Sequence, residues 1–235
     1  MQAQKYLNLL NQLKVSKYRN SSQSLCCFNA QKGSEYNNNL MVVGRAVNSW
    51  HHEFELNNLN VESMVEEVFR QPTTSECPLK WVEDSWGSQE GYNTKSSAFW
   101  RVIKQVSQRL NEASSTTGWA SKIVWSNLYK IAPSITGNPS DSLCDKQFTY
   151  CNELLLAEII EYRPRVIVFF TGLNWFNGFL NESVSLSSNK EHSLVEAHGV
   201  LKINDKDVKI IIAKHPQGKP EAEMIHEILT IASVT

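Results

Sequence analysis

The sequence predicts an α/β protein: a three-layer α/β/α arrangement around a central, mainly parallel four-stranded sheet, with one antiparallel strand at an edge. Three observations predict it. Four short apolar segments, at 40–43, 123–126, 166–170 and 208–213, each run into a polar or glycine-containing turn, as strands buried on both faces do. Stretches with helical apolar spacing separate most of them, and strand alternating with helix is the signature of parallel crossovers. Finally, 235 residues with 41% hydrophobic and 10% aromatic content can bury a sizeable core. One domain over 1–235, with a helical and loop extension at 1–39, is the economical organisation.

Taken in order, Tyr6, Leu9, Leu10 and Leu13 fall close to helical spacing, which predicts a first helix packed against the outside of the domain. The Asn/Ser-rich runs at 20–39 and 181–193 read as loops or lid segments. The strand at 40–43 follows, then helical patterns at 61–69 and 99–110, then the strand at 123–126. In "CDKQFTYCNELLLAEIIEYRP", Phe148, Leu154, Leu155, Ile159 and Ile160 mark the apolar face of a long helix that Pro164 ends. The strand at 166–170 comes next. "SLVEAHGVLKINDKDVKIIIAKH" then supplies the antiparallel strand, a hairpin turn at 204–207 and the fourth buried strand.

Composition narrows the function classes. The cysteines Cys26, Cys27, Cys77, Cys144 and Cys151 are odd in number and contain no C-x-x-C, so neither a disulfide framework nor a zinc ribbon fits. A reducing cytoplasm is the expected compartment. The first twenty residues are interrupted by Asn and Lys where a secretory signal needs a continuous apolar core, and no apolar run approaches the ~20 residues of a membrane span. Net charge is −1, but residues 51–90 hold nine acids against Arg70 and Lys80, while 95–130 hold Lys95, Arg101, Lys104, Arg109, Lys122 and Lys130 against Glu112. Such a basic segment suits phosphates, and it also suits an ordinary solvated face. His51, His52, His192, His198 and His226 show no metal-ligand spacing.

Ligands of open parallel sheets bind at the carboxyl ends of the strands. Here those ends read "GRAVNSW", "NLYKIAP", "TGLNWF" and "KHPQGKP", which together offer amides, an imidazole, cations and aromatics but no carboxylate. That set suits a ligand with hydrogen-bonding edges, flat faces and negative charge.

In this order and on these elements, the four strand ends resemble the motifs of the uracil-DNA glycosylase superfamily. "VVGRAVNSW" is similar to the first motif, a strand ending in Gly and a water-binding turn, and "AKHPQGK" to the last, a strand ending in His-Pro-Ser. "WSNLYK" and "FFTGLNWF" match the second and third, so the resemblance covers about 40–230. It implies an enzyme that flips a base out of DNA, stacks it on an aromatic ring, reads its edge with an amide and cleaves the glycosidic bond. It implies DNA or another nucleobase-containing ligand as partner. By the same resemblance, His215 stabilises the departing base and Pro216 shapes its turn, Asn127 reads the base, and Phe99, with Trp100 as neighbour, supplies the stacking ring. Gly44, Ala46 and Trp50 wall the base site. Arg45, Lys130, Lys214 and Lys219 are expected at phosphates, with a structural contact as the other role open to Lys130 and a surface salt bridge as that open to Arg45.

The departures are as specific as the matches. Where the first motif usually carries Asp, Glu or Asn close to its glycine, this chain has Arg45, Ala46 and Val47, and the nearest polar candidate for orienting water is Asn48. An amide orients a water but cannot take its proton. Gln217 replaces the serine of the last motif. Related families that hold an iron–sulfur cluster carry a cysteine directly after the second-motif lysine; Ile131 stands there, and no cofactor or metal is expected. Two functions stay open: a glycosylase acting on a deaminated or damaged base, and a member of the same fold that binds a nucleobase, nucleotide or nucleic acid without cutting it. An unrelated nucleotide-binding protein lacks support, since neither G-x-G-x-x-G nor a P-loop is present. A monomer is the expected state.

Overall fold

The computed structural model describes the chain apart from residues 17, 19–21, 71–75, 112–116, 136, 181–182, 190–192, 205 and 234–235. Glu112, His192, the centre of the predicted hairpin at Asp205 and part of the acidic segment 71–95 lie outside the described residues. In chain order the elements are α1 (Gln2–Val15), β1 (Leu25–Cys27), β2 (Gln31–Lys32), β3 (Leu40–Gly44), β4 (Glu53–Phe54), α2 (Val61–Val68), α3 (Lys80–Asp84), α4 (Ala98–Leu110), β5 (Ile123–Asn127), β6 (Ile131–Pro133), α5 (Asp141–Tyr162), β7 (Val166–Phe169), α6 (Leu173–Phe176), β8 (Val184–Ser188), β9 (Val195–Ile203), β10 (Lys206–Ala213) and α7 (Glu221–Ser233). No helix among the described residues is long and apolar enough to cross a membrane.

Contacts divide the chain into two compact units, Met1–Ala30 with Gly44–Thr74 and Ser126–Glu161, and Gln31–Val43 with Ser75–Trp125 and Tyr162–Thr235. In the first, α1 forms where Tyr6, Leu9, Leu10 and Leu13 recur at helical spacing, and all four are buried. Asn60 caps α2, its side-chain oxygen accepting the Ser63 N–H at 3.0 Å. The strands β4, β1 and β6 form a small antiparallel sheet in which Leu25 lies opposite both Phe54 and Pro133. The long helix α5 buries Leu154, Leu155 and Ile159, and Arg163 at φ 49° then Pro164 end its path.

The second unit is built on a seven-stranded sheet of order β2-β5-β3-β7-β10-β9-β8, whose strands β3 and β5 have their last residues, Gly44 and Ser126 to Asn127, in the first unit. β3, β7 and β10 are parallel, with Val43 opposite Phe169 and Phe169 opposite Ile212. The chain therefore leaves all three strands by the same edge. β9 runs antiparallel to β10, and β8 antiparallel to β9. The α/β class holds, but the four-stranded, mainly parallel sheet was too simple: the sheet is mixed, and the antiparallel β9 is internal because β8 covers it. The two Asn/Ser-rich runs read as loops supply its extra strands, β2 from 20–39 and β8 from 181–193, and the first run also supplies β1 of the small sheet. Edge strands such as β8 leave side chains half exposed, so they carry no apolar signal.

The buried Trp100, Trp119 and Trp125 and the half-buried Trp81 cluster in this unit with ring centroids 5.1 to 6.3 Å apart, Trp100 meeting Trp81 and Trp125 edge to face and the other two pairs tilted. Arg101 on α4 holds both carboxylate oxygens of Glu221 at the start of α7, its Nε lying 3.1 Å from each. Gly33 fits where nothing larger does: a Cβ there would lie 2.2 Å from the Ser121 carbonyl oxygen, which is backbone and cannot swing aside. Gly33→Ala should destabilise the fold by about 1–3 kcal/mol, read as a lower urea midpoint. A midpoint equal to that of the parent chain would contradict this tight approach.

Candidate functional site

Two groups of sequence-predicted residues are assembled, one in each unit. In the first, the turns leaving β3 and β5 run side by side: Leu128 N–H donates to the Gly44 carbonyl and Tyr129 N–H to that of Arg45, both at 2.9 Å. Gly44 is buried, Arg45 and Ala46 are half-buried, and Val47 is 4% exposed. Trp50 is half-buried and packs edge-on against Phe28 at 5.4 Å. Ser49 and His52 take the left-handed backbone, at φ 69° and 61°, which residues with a Cβ adopt at a cost that tertiary contacts must hold. The Gly137 N–H donates at 2.8 Å to the side-chain oxygen of Asn48, the expected water-orienting amide.

Lys130 is wholly buried. Its ammonium lies 2.7 Å from Glu158 Oε1 and 2.9 Å from Oε2, and donates at 2.8 Å to Ser126 Oγ and to the Asn127 carbonyl. Of the phosphate and structural roles expected of it, this geometry is the structural one, because a cation enclosed by four acceptors offers no face to a phosphate. Ser126 Oγ closes the network by donating to Glu158 at 2.7 Å. Asn127 is 1% exposed, and its side-chain Nδ2 has no hydrogen-bond partner among the described residues. A buried amide donor left unpaired costs about 1–3 kcal/mol, so this one is a position where a ligand acceptor would be strongly preferred.

In the second unit, β10 delivers His215 and β7 delivers Phe170, Thr171 and Gly172, whose N–H donates to the Ala213 carbonyl at 2.9 Å. Phe99, at the start of α4, lies nearly parallel to the His215 ring, with centroids 6.4 Å apart and planes at 12°, and edge-on to Phe170 at 5.7 Å. His215 Nδ1 accepts the Gln217 N–H at 3.3 Å. That bond sets the neutral tautomer: with Nδ1 accepting, Nε2 carries the proton and is a donor. Lys214 is half-buried and Lys219 exposed. Arg101, tied to Glu221, is removed from the cations free to meet a phosphate.

The thiols divide sharply. Desolvation pushes Cys26 and Cys144 up to about 11, Cys151 up to about 12 and Cys27 well beyond the ordinary thiol range. Ile131, where related families place a cluster-binding cysteine, has its N–H and carbonyl both held by Gln147, at 3.0 and 2.9 Å. Among the described residues no group of three or more His, Cys, Asp or Glu is placed to hold a metal ion.

Sequence reasoning found Lys130 but missed the partners that define it. The available signal was Glu158, a carboxylate four residues after Leu154 and three after Leu155 on the apolar stripe of α5, where a buried acid needs a cation. Ile135 was also missed. It is 82% exposed, two residues beyond the end of β6.

A mixed sheet with helices between its parallel strands, whose strand ends lead into a glycine turn, an amide turn and a His-Pro turn, defines an α/β fold class. The family model described as the uracil DNA glycosylase superfamily matches residues 33–219, and the chain belongs to that superfamily. No curated relative matches the chain.

Two measurements check the site chemistry. Glu158→Ala leaves the Lys130 ammonium buried without its counter-charge and should lower stability by about 3–5 kcal/mol in urea unfolding. A loss under about 1 kcal/mol would mean that Lys130 is not sealed in as described. Thiol labelling of the native protein at pH 8 should modify the half-exposed Cys77 first, with Cys26, Cys27, Cys144 and Cys151 reacting only as the protein unfolds. Early labelling of Cys27 or Cys151 would contradict their burial.

Proposed function

We propose that the protein hydrolyses the N-glycosidic bond of a deaminated base flipped out of DNA. The observation that carries this reading is the unpaired, buried Nδ2 of Asn127. Deamination replaces an exocyclic amino donor with a carbonyl acceptor, so an amide N–H at this position pairs with uracil or hypoxanthine. Against cytosine or adenine it faces another donor, and that mismatch is how a buried polar group discriminates strongly. Family membership supports the reading. So does the Nε2–H tautomer of His215, which suits a donor to the base oxygen where charge collects as the bond breaks. Phe99 is the ring proposed to stack the flipped base, and Gly44, Ala46 and Trp50 are proposed to wall it. Arg45, Lys214 and Lys219 are the proposed phosphate contacts.

The first-motif turn bears on rate. It has no carboxylate through Trp50, and the Asn48 oxygen is already engaged by Gly137. Water therefore meets the sugar without a general base from this turn, which fits a slow enzyme working through a largely dissociated, oxocarbenium-like state. The same feature favours the second reading, a member of the fold that binds a nucleobase or DNA without cleaving it.

Labelled oligonucleotides carrying uracil, hypoxanthine or xanthine, followed by alkaline cleavage at abasic sites, separate the two. His215→Ala should reduce excision by ~10²-fold or more with DNA affinity little changed, because the lost donor acts mainly as the base departs. Asn127→Ala should instead erode discrimination between deaminated and normal bases. If the parent chain releases none of these bases, yet binds DNA in a way that depends on Asn127, the binding reading replaces the enzymatic one.

A further inference from the structure

Phe99 and His215 reach each other from separate elements. Phe99 is the second residue of α4, and His215 lies in the turn between β10 and α7, yet their rings stand within 12° of parallel. Both are half-buried, so close packing on every side does not hold either ring. One contact joins their carriers. Arg101, two residues after Phe99, places its Nε 3.1 Å from each carboxylate oxygen of Glu221, which begins α7 directly after the His-Pro turn. Its Nη2 reaches the same carboxylate, and its Nη1 donates at 2.8 Å to the Lys95 carbonyl in the helical turn that leads into α4. A single guanidinium thus holds the entry to α4 and the entry to α7. Inside the His-Pro turn, the Lys219 N–H donates to the Pro216 carbonyl at 3.0 Å and the Gln217 N–H to His215 Nδ1, so main-chain bonds carry the constraint from Glu221 back to the imidazole.

Arg101 and Glu221 have side chains 36% and 30% exposed, and ion pairs so placed add little to stability. A planar fork on a carboxylate does fix direction as well as distance, which a flexible ammonium does not. The value of this pair is therefore geometric. A phosphate contact is the other use for an arginine here, and a neighbouring carboxylate would oppose it. We propose that Arg101 and Glu221 are positioning residues whose ion pair sets the Phe99 ring against His215, aligning the stacking surface with the donor to the departing base. What the two rings do with a base rests on the glycosylase reading; their alignment does not.

The test has one arm in the free protein and one in the reaction. The His215 ring protons, assigned by their loss in His215→Ala, are shifted in the NMR spectrum by the facing Phe99 ring, and Phe99→Leu measures that shift. Arg101→Ala and Glu221→Ala should each remove at least half of it. In single-turnover release of uracil from an oligonucleotide, each should lower the rate about 10-fold or more with DNA affinity within about 2-fold of the parent, because misalignment is felt in the transition state. The double variant should be no more than about 2-fold slower than either single one, as expected of two residues acting as one unit. Urea midpoints should stay near that of the parent. Unmoved ring signals in Glu221→Ala, or a rate loss that accompanies a collapsed midpoint, overturn the proposal. So does weakened DNA binding in Arg101→Ala with Glu221→Ala at the parent rate, which makes Arg101 a phosphate contact. Ring signals that move in both variants of a chain that releases no base retain the positioning role and reject the glycosylase.

Discussion

An ammonium group sealed from water has to be neutralised where it stands, and the turn after β5 is organised around that requirement. Lys130 draws the Glu158 carboxylate, the Ser126 hydroxyl and the Asn127 carbonyl onto one point, each within 2.9 Å. Three of the four residues involved lie within five positions of one another, so the bonds close the turn on itself, and Glu158 anchors it to α5. The network uses the backbone carbonyl of Asn127 and leaves its side-chain nitrogen unengaged. A held backbone carrying an unsatisfied amide is preorganised in the way the base-edge role proposed for Asn127 requires. Tyr6 reinforces the same place from α1, its hydroxyl lying 3.0 Å from the Phe28 carbonyl and 3.4 Å from that of Lys130.

His215 follows a comparable logic with a different tool. The Gln217 backbone N–H, two residues on, occupies Nδ1 and so directs the proton to Nε2. The His-Pro turn thereby fixes a tautomer as well as a position. Gln217 replaces the serine usual in the family, but the contact uses its main-chain N–H, which any residue except proline would supply.

The long elements were legible in the sequence because each repeats its signal. Leu9, Leu10 and Leu13 on α1, the stripe on α5 and the apolar runs of β3, β5, β7 and β10 give several residues that agree. β1, β2, β4 and β6 are two or three residues long and offer no period to read, and β8 alternates half-exposed with exposed residues at a sheet edge. Of the site, His215 and Asn127 were readable because motif order names them. The enclosure of Lys130 and the engagement of Asn48 by Gly137 were not, since both depend on partners 28 and 89 residues away in sequence. Motif spacing reports which residues leave a strand, and tertiary bonds decide which of their atoms remain available.

The first unit is threaded from three separate stretches, Met1–Ala30, Gly44–Thr74 and Ser126–Glu161. Its small sheet needs β6 beside β1, and its buried lysine needs α5. A growing chain therefore holds β1, with its wholly buried Leu25, Cys26 and Cys27, unpaired on the β6 side while more than a hundred further residues are made. Loop closure over such separations is slow, and exposed strand edges invite association in the meantime. The polar character of the Asn- and Ser-rich stretch that leads into β1 then has a second value: it keeps that waiting segment hydrated until the residues that complete the unit have been synthesised.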